Sequence, residues 1–446
     1  MSKMKYSGVE WIGNIPNEWY IKPLKSICDG FNNGCSNEQL QYGNSNYPVS
    51  RIETISTGVI DFDKVGYVEK IKDTYKLNKN DFLISNINSI SYLGNCAIYG
   101  GKQVLYHGMN LLRVIPNKIY SNYLFYYFKS VIFRKYMQIY CKPAINQASV
   151  SATNLKSMKV PFPNKKEQIL IANFLDKKSD ELNQILNDLN KQIEILEKYK
   201  ISLITEKVTK GMNKKQKFKK SNLKWIKKIP ESWSTNIRIK DLFTFSNGLS
   251  ITKADLKDLG EPVISYGQIH SKLNKSTYIN NDLIRYVDWL YIKYIRISGV
   301  KKGDFIFADT SEDLQGCGNF IYVDENRQLF AGYHTIILKA KENMNNKYLS
   351  YLFLTDIWRS QIRSKVYGVK VFSITQKILK EAKVILPSLD EQKEIVKYLD
   401  KKCNQIDKIV EDKQKQIQNI EEYKKSVIYE YVTGKKRVEG AEELYG

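Results

Sequence analysis

The chain has 446 residues, 42% of them hydrophobic and 12% aromatic, which excludes a disordered polymer and leaves length for two cores. Seventy Lys and Arg against 47 Asp and Glu give a formal net charge of +23, so polyanions, nucleic acid first among them, are the expected partners. No run of about 18 apolar residues occurs, and Met1–Tyr6 lacks the apolar core of a signal peptide, so a soluble, cytoplasmic chain with no membrane partner is expected. Cys28, Cys35, Cys96, Cys141, Cys317 and Cys403 are scattered without a CxxC pair and read as reduced packing residues.

The first patterned element is Trp11-Ile12-Gly13-Asn14-Ile15-Pro16-Asn17-Glu18-Trp19. Short β-rich runs follow at 47–52, 81–85 and 110–114, punctuated by Gly58, Gly66, Gly94 and Gly100-Gly101, and 122–128 reads as an amphipathic helix. Pro163…Glu167-Gln168…Ile171…Leu175-Asp176-Lys177-Lys178 then opens a long helical segment. After a basic stretch the whole text returns. Trp225-Ile226-Lys227-Lys228-Ile229-Pro230-Glu231-Ser232-Trp233 repeats the opening at an offset of 214. Runs at 261–266, 304–308 and 334–338 repeat the strands, and 347–353 repeats the helix. Pro387…Glu391-Gln392…Ile395…Leu399-Asp400-Lys401-Lys402 repeats the closing signature at an offset of 224, so the second copy is ten residues longer. A period this long is a tandem of whole domains rather than a solenoid.

The segment closing each copy carries a heptad pattern. Leu175, Leu182, Leu189, Leu196 and Leu203 stand seven apart, with Ile185, Gln192, Tyr199 and Glu206 read as the companion row three residues on. The second segment gives Leu399, Ile406, Lys413, Ile420 and Val427, with Ile409, Gln416, Tyr423 and Glu430. Two matched seams in one chain are expected to pair; the alternative is that each packs on its own globular half. The fold class expected is α+β: two mixed α/β domains in tandem with two long antiparallel coiled-coil helices and a pseudo-two-fold repeat. The expected boundaries are 1–163 for the first domain, 164–211 for its helix, 212–224 for a flexible basic linker, 225–387 for the second domain, 388–434 for its helix and 435–446 for a frayed tail.

Catalytic constellations are missing from the text. There is no GxxxxGK[ST] loop, no HExxH and no Asn-Pro-Pro-aromatic motif of the kind found in amino-methyltransferases. His107, His270 and His334 are the only histidines. His107 and His334 fall at similar places in the two copies, and packing is the expected role. The chain reads as non-catalytic, with no metal site.

The Trp-Ile-x-x-Ile-Pro-x-x-Trp opening, the Pro-x-x-x-Glu-Gln-x-x-Ile-x-x-x-Leu-Asp signature and the heptad helices ending near Thr209-Lys210-Gly211 and Thr433-Gly434-Lys435, all doubled and in order, resemble the specificity subunits of type I restriction–modification enzymes. Lys413 departs from the doubled pattern where the first copy has Leu189. The resemblance implies two target-recognition domains, each reading half of a bipartite double-stranded DNA site, with the helices as spacer and as the dock for methyltransferase subunits, two in number. It also implies restriction and motor subunits, and it puts S-adenosylmethionine, ATP and Mg2+ on those partners, with no cofactor on this chain.

Candidate DNA-binding residues lie in polar loops between strands. They are Asn86, Asn88 and Ser91 in the first copy and Thr310, Glu312 and Gln315 in the second, because amides bridge adenine and a carboxylate accepts from cytosine. Loops before the closing helices add Lys142, Asn146 and Gln147, and Arg363, Lys365 and Lys370. The helix-pair seam rests on Leu182, Leu189, Leu196, Leu203, Ile406, Ile420 and Val427. Leu175 to Leu203 spans 28 residues, or roughly 42 Å of helix, which suits half-sites about one DNA turn apart. The alternatives are the recognition portion of a self-sufficient restriction–methylation enzyme and a coiled-coil scaffold that binds no DNA.

Overall fold

The structure is a computed structural model and describes residues 3–38, 47–144, 147–213, 215–341, 344–368 and 370–445. It divides into two compact units: Met1–Asn190 with Gln414–Gly446, and Lys191–Lys413. The boundaries do not follow the order of the two copies, because each unit contains the beginning of one long helix and the end of the other.

In the first unit, four antiparallel strands stand in the order Cys28–Asn33, Leu111–Pro116, Phe82–Ser85, Cys96–Ile98. Phe82–Ser85 is buried on both faces, which is why its text is continuously apolar instead of alternating. Phe82 and Ile84 point into the main core with Leu112, Val114 and the helices Ser121–Lys129 and Val131–Ile139. Leu83 points the other way, into a smaller cluster with Ile55, Leu77, Ala97, Leu105 and Leu111. That division is the two-residue period of a strand.

The second unit repeats the sheet with Phe243–Asn247, Thr335–Ala340, Phe305–Ala308 and Phe320–Tyr322 in the same order. Phe305 and Phe307 enter the main core, while Ile306 and Ala308 enter a second cluster with Ile264, Leu329 and Ala331. A second four-stranded sheet follows the order Arg285–Val287, Glu261–Ile264, Leu329–Ala331, Gly299–Val300, and its middle pair is parallel.

The heptad segments are the helices Lys165–Lys210 and Leu389–Val432. In the first unit they run antiparallel: Phe174 stacks on Tyr431 with centroids 4.3 Å apart, and Lys424 Nζ donates to Asn183 Oδ1 at 2.7 Å. Leu175, Leu182 and Leu189 are buried there, and Val427, Ile428 and Val432 join the main core. In the second unit Lys413 donates to Gln192, and Leu203, Ile204 and Val208 pack with Leu399, Cys403 and Ile406. Leu196 and Ile420 are half-buried.

The companion row needs correcting. Ile185, Tyr199, Ile409 and Tyr423 are 46%, 55%, 45% and 50% exposed, and Gln192, Glu206 and Gln416 are exposed as well. The second inward row lies four residues after the leucines: Lys200, Lys207 and Cys403 are buried, and Leu186, Ile193, Val410, Ile417, Lys424 and Tyr431 are half-buried. The leucines therefore occupy the heptad position from which the next seam residue is four away, not three.

Two segments read as loose are held. In the supposed linker 212–224, Phe218–Lys220 pairs antiparallel with Lys228–Pro230, just as Met4–Tyr6 pairs with Asn14–Pro16. The tail from 435 is anchored by Arg437, whose guanidinium lies 2.8 Å from Glu167 and 3.7 Å from Glu18, and Ala441 is fully buried.

Candidate DNA interface

The two doubled signatures meet in space. Trp19 Nε1 donates to Glu167 Oε2 at 2.8 Å in the first unit, and Trp233 Nε1 donates to Glu391 Oε2 at 3.0 Å in the second. The neighbouring glutamines lock the helix start. Gln168 accepts from Tyr120 N and donates to Pro163 O, and Gln392 donates to Pro387 O. Tyr123 Oη donates to Pro161 O and to Val432 O, so it ties the globular core to the end of the second helix. Tyr348 makes the same pair of bonds to Ile385 O and Val208 O. Tyr126 and Tyr351 donate to Asp176 and Asp400 at 2.6 and 2.7 Å. These contacts fix the base on which the loops stand.

In each unit, loops far apart in sequence close into one patch. In the first, Gln147–Ser149 pairs with Lys142–Ala144 and with Ile87–Asn88, so Ala148 faces Asn88 and Ser149 faces Ile87. In the second, Thr310–Ser311 pairs with Phe372–Ser373, and Tyr367 bridges Ser373. Candidate loops that lie tens of residues apart in sequence are thus neighbours in both units.

Individual candidates fare differently. Asn86 is buried and its amide donates to Val150 O, while Asn88 donates to Ser85 Oγ and accepts from Ser89 N. Both side chains shape the loop and leave the exposed tip to Ile90, Ser91 and Tyr92. Lys142 and Gln147 are exposed, and Asn146 lies outside the described residues. Glu312, Gln315, Lys365 and Lys370 are exposed. Arg363 is bound to Asp356 at 3.0 Å and to Gln315 O at 2.7 Å, so it braces the loop, and Thr310 O accepts from His270 Nε2 at 2.8 Å. Tyr92 and Tyr367, 56% and 87% exposed, were passed over in the sequence; an aromatic beside polar loop text was the available signal.

A cavity of about 530 Å³ opens beside the second patch, bordered by Tyr266, His270, Glu312, Asp313, Gln315 and Asn319. Its wall is a hydrogen-bonded chain: Arg359 donates to Asn319 Oδ1 at 2.6 Å, and Asn319 to His270 Nδ1 at 3.1 Å. Burial draws the Arg359 guanidinium down to about 10, which still leaves it charged at neutral pH. Gly316 is required there, because a Cβ would stand 2.5 Å from Ser311 Oγ. The two carboxylates at the rim make this cavity an acceptor for amino groups.

The histidines do not correspond as the sequence suggested. His334 (φ 54°) matches Asn110 (φ 62°): both are left-handed residues immediately before an equivalent strand. His107 is buried, with Nε2 3.0 Å from Leu111 O, and burial draws it down to about 4. Among the described residues no group of three or more His, Cys, Asp or Glu is placed to hold a metal ion, and no helix is long and apolar enough to cross a membrane.

The family model described as the type I restriction modification DNA specificity domain matches residues 16–195 and 230–419. The chain is 35% identical over 448 residues, 96% of each chain, to the "Putative type I restriction enzyme MjaX specificity subunit" of Methanocaldococcus jannaschii. It is 26% identical to the type I restriction enzyme MjaVIII specificity subunit of the same organism, covering 88% of this chain and 86% of that one. A solved structure described as "Structural basis underlying complex assembly and conformational transition of the type I R-M system" shares the fold with a TM-score of 0.67 at 13% identity, covering 95% of this chain and 99% of that chain. With both halves matched and a relative aligned along nearly its whole length, the chain belongs to the specificity subunits of type I restriction–modification systems and carries two target-recognition domains in tandem.

Proposed function

We propose that this chain chooses the DNA sequence for a restriction–modification complex, each target-recognition domain reading one half of a bipartite site while the long helices set the gap and dock methyltransferase subunits. The observation that carries the reading is the doubled patch: in both units a polar loop after a central strand is paired with the loop preceding the closing helix. Each patch offers what base reading needs, side chains able to reach groove edges beside cations able to meet phosphate. Ser91, Lys142 and Gln147 serve in the first unit, and Glu312, Gln315, Lys365 and Lys370 in the second. Asn86, Asn88, Thr310 and Arg363 hold those loops in shape.

On this reading methyl transfer and DNA cleavage belong to partner subunits, which bring S-adenosylmethionine, ATP and Mg2+. The chain acts from a cytoplasmic complex. The two copies differ in length and loop text, so the half-sites differ and the site is not a palindrome. The test is an exchange of residues 1–163 for the matching region of a relative, read by methylome sequencing in cells that also supply methyltransferase subunits. One half of the methylated site should change while the other half and the gap stay the same. A swap that altered both halves, or methylation by the purified chain alone, overturns the reading.

A further inference from the structure

A second cavity, of about 260 Å³, lies in the first unit at the foot of the loop that carries Ser91. Its polar lining is Ser56, Thr57, Asn95, Lys129, Ser130 and Arg134, and none of the lining residues is acidic. The loop and the cavity are joined by the backbone, since Gly94 N donates to Ser85 O and Ser85 N donates to Asn95 O. Gly58 and Gly94 are both left-handed, with φ of 79° and 83°, and bend the chain around the opening.

No carboxylate among the described residues stands within ion-pair distance of the cations at this opening. Lys129 and Arg134 are exposed, and neither makes an ion pair or a side-chain hydrogen bond there. The Lys129 ammonium sits 4.2 Å from the centre of the Phe125 ring. Asp176, which accepts from Tyr126, is a carboxylate whose field reaches Lys129 without forming an ion pair with it. Cys96 adds no negative charge, because burial pushes its thiol up to about 12. Desolvation draws the Lys129 ammonium below its ordinary value, helped by Lys424 and opposed by the field of Asp176. Ser130 caps the helix Val131–Ile139, whose positive end faces the same space.

The second unit supplies the contrast. Gly318 and Asn319 stand where the first unit has Gly94 and Asn95, and Thr355 stands in place of Ser130 as helix cap. Lys129 is replaced by Leu354, and the arginine matching Arg134, Arg359, is turned inward onto Asn319 Oδ1 and Phe353 O. That unit uses its arginine to hold the fold. The first unit leaves two cations free at one polar opening.

We propose that this opening is a phosphate-binding site, and that it seats a backbone phosphodiester of the DNA beside the first half-site. The DNA assignment rests on the reading of the chain as a DNA-recognition subunit. The Ser56 and Ser130 hydroxyls already donate to Glu53 O and Tyr127 O, which leaves the paired cations with Thr57 to meet a phosphate, and a contact of this kind fixes register without reading sequence. Each neutralised phosphate contributes about 0.9 to the slope of log affinity against log salt.

The test uses the full chain and a duplex bearing its methylated site, with affinity measured by fluorescence anisotropy from about 50 to 200 mM salt. Lys129→Gln with Arg134→Gln should lower the salt slope by about one, the share of a single phosphate. Its affinity should accordingly fall about three- to fourfold less than the wild type's across that range. Sequence preference should be unchanged, and Lys129→Arg should keep the wild-type slope. A folded double variant with the wild-type slope overturns the proposal, as does a loss of thermal stability alone, which would reduce Lys129 to its contact with Phe125. Inorganic phosphate provides a separate arm. If it raises the unfolding temperature of the wild type and not of the double variant while DNA affinity is the same in both, the site takes a free anion and the DNA assignment is overturned. A wild-type chain that does not bind the duplex at all contradicts the functional reading itself, which is a different result from an unchanged slope.

Discussion

Lys200 Nζ lies 2.6 and 2.8 Å from the two carboxylate oxygens of Asp407, in the helix seam of the second unit. The residues at the matching places in the first unit are Lys424 and Asn183, so there the same lysine meets a neutral amide. The repeat keeps the geometry and changes the charge. Lys200 has only 10% of its side chain exposed, and Asp407 has 31%. Removing the carboxylate leaves a cation in a largely closed seam, whereas an amide has a working precedent in the same protein.

Asp407→Ala should therefore destabilise the second unit by about 2 kcal/mol, below the roughly 3–5 kcal/mol of a fully buried pair because Asp407 is partly solvated. Asp407→Asn should cost clearly less. Scanning calorimetry of the two variants checks the ranking, and equal losses would remove the ion pair from the account.

Glu167 and Glu391 make the same bond to a tryptophan, but Glu167 is fully buried and also receives Arg437, while Glu391 is half-buried. Glu167→Ala strands an indole N–H and takes from Arg437 its nearer carboxylate, leaving Glu18 at 3.7 Å, and should cost about 3–5 kcal/mol. Glu391→Ala strands only the indole and should cost about 1–2 kcal/mol. Urea unfolding of each variant measures the difference, and Arg437→Ala should recover part of the loss in the Glu167 variant.

His107 gives the first unit an acid sensitivity. Its imidazole is lowered from 6.5 to about 4 by burial, so the neutral form is the folded one. Below pH 6.5 the unfolded chain binds the proton and the folded chain does not. Stability then falls with pH until the folded group titrates near 4, by at most about 3 kcal/mol. The contribution is fully present above pH 6.5. A His107→Gln variant, less stable than the wild type at pH 7, should lose less stability between pH 6.5 and 4. Unfolding temperatures across that range check it, and parallel curves count against the assignment.

Glu312 stands at the rim of the second unit's cavity with its carboxylate exposed. A carboxylate accepts from the amino group of cytosine, and losing one such contact is worth about 1–3 kcal/mol of discrimination. Glu312→Ala should relax one position in one half of the methylated site and leave the other half intact. Methylome sequencing reads this directly. An unchanged motif removes Glu312 from base contact.

Much of the fold was legible because it is written twice. The doubled signatures gave the repeat, the strands and the helices, and Trp19 with Glu167 explains why both signatures recur together. The companion row went astray because a heptad seam alternates steps of three and four, and leucines alone do not tell which comes next. Phe218–Lys220 looked like linker because its side chains are solvated, yet a strand pairs through its backbone, which ignores side-chain polarity. Arg437 looked frayed because its partner, Glu167, is 270 residues away. Within the site, Asn86 and Asn88 had the right chemistry for bases, but their amide N–H groups already donate to Val150 O and Ser85 Oγ. Sequence reports what a side chain offers; only the structure reports what has already taken it.

The first unit's core includes Val427, Ile428 and Val432, and its Glu167 receives Arg437. During synthesis the ribosome makes Trp19, the central sheet and the first helix long before it reaches those residues. The first unit must consequently wait for residues 427–437 to complete its packing. The second unit, Lys191–Lys413, has all its residues before those are made. A chain cut short near residue 420 would hold every residue of the second unit and lack part of the first unit's core.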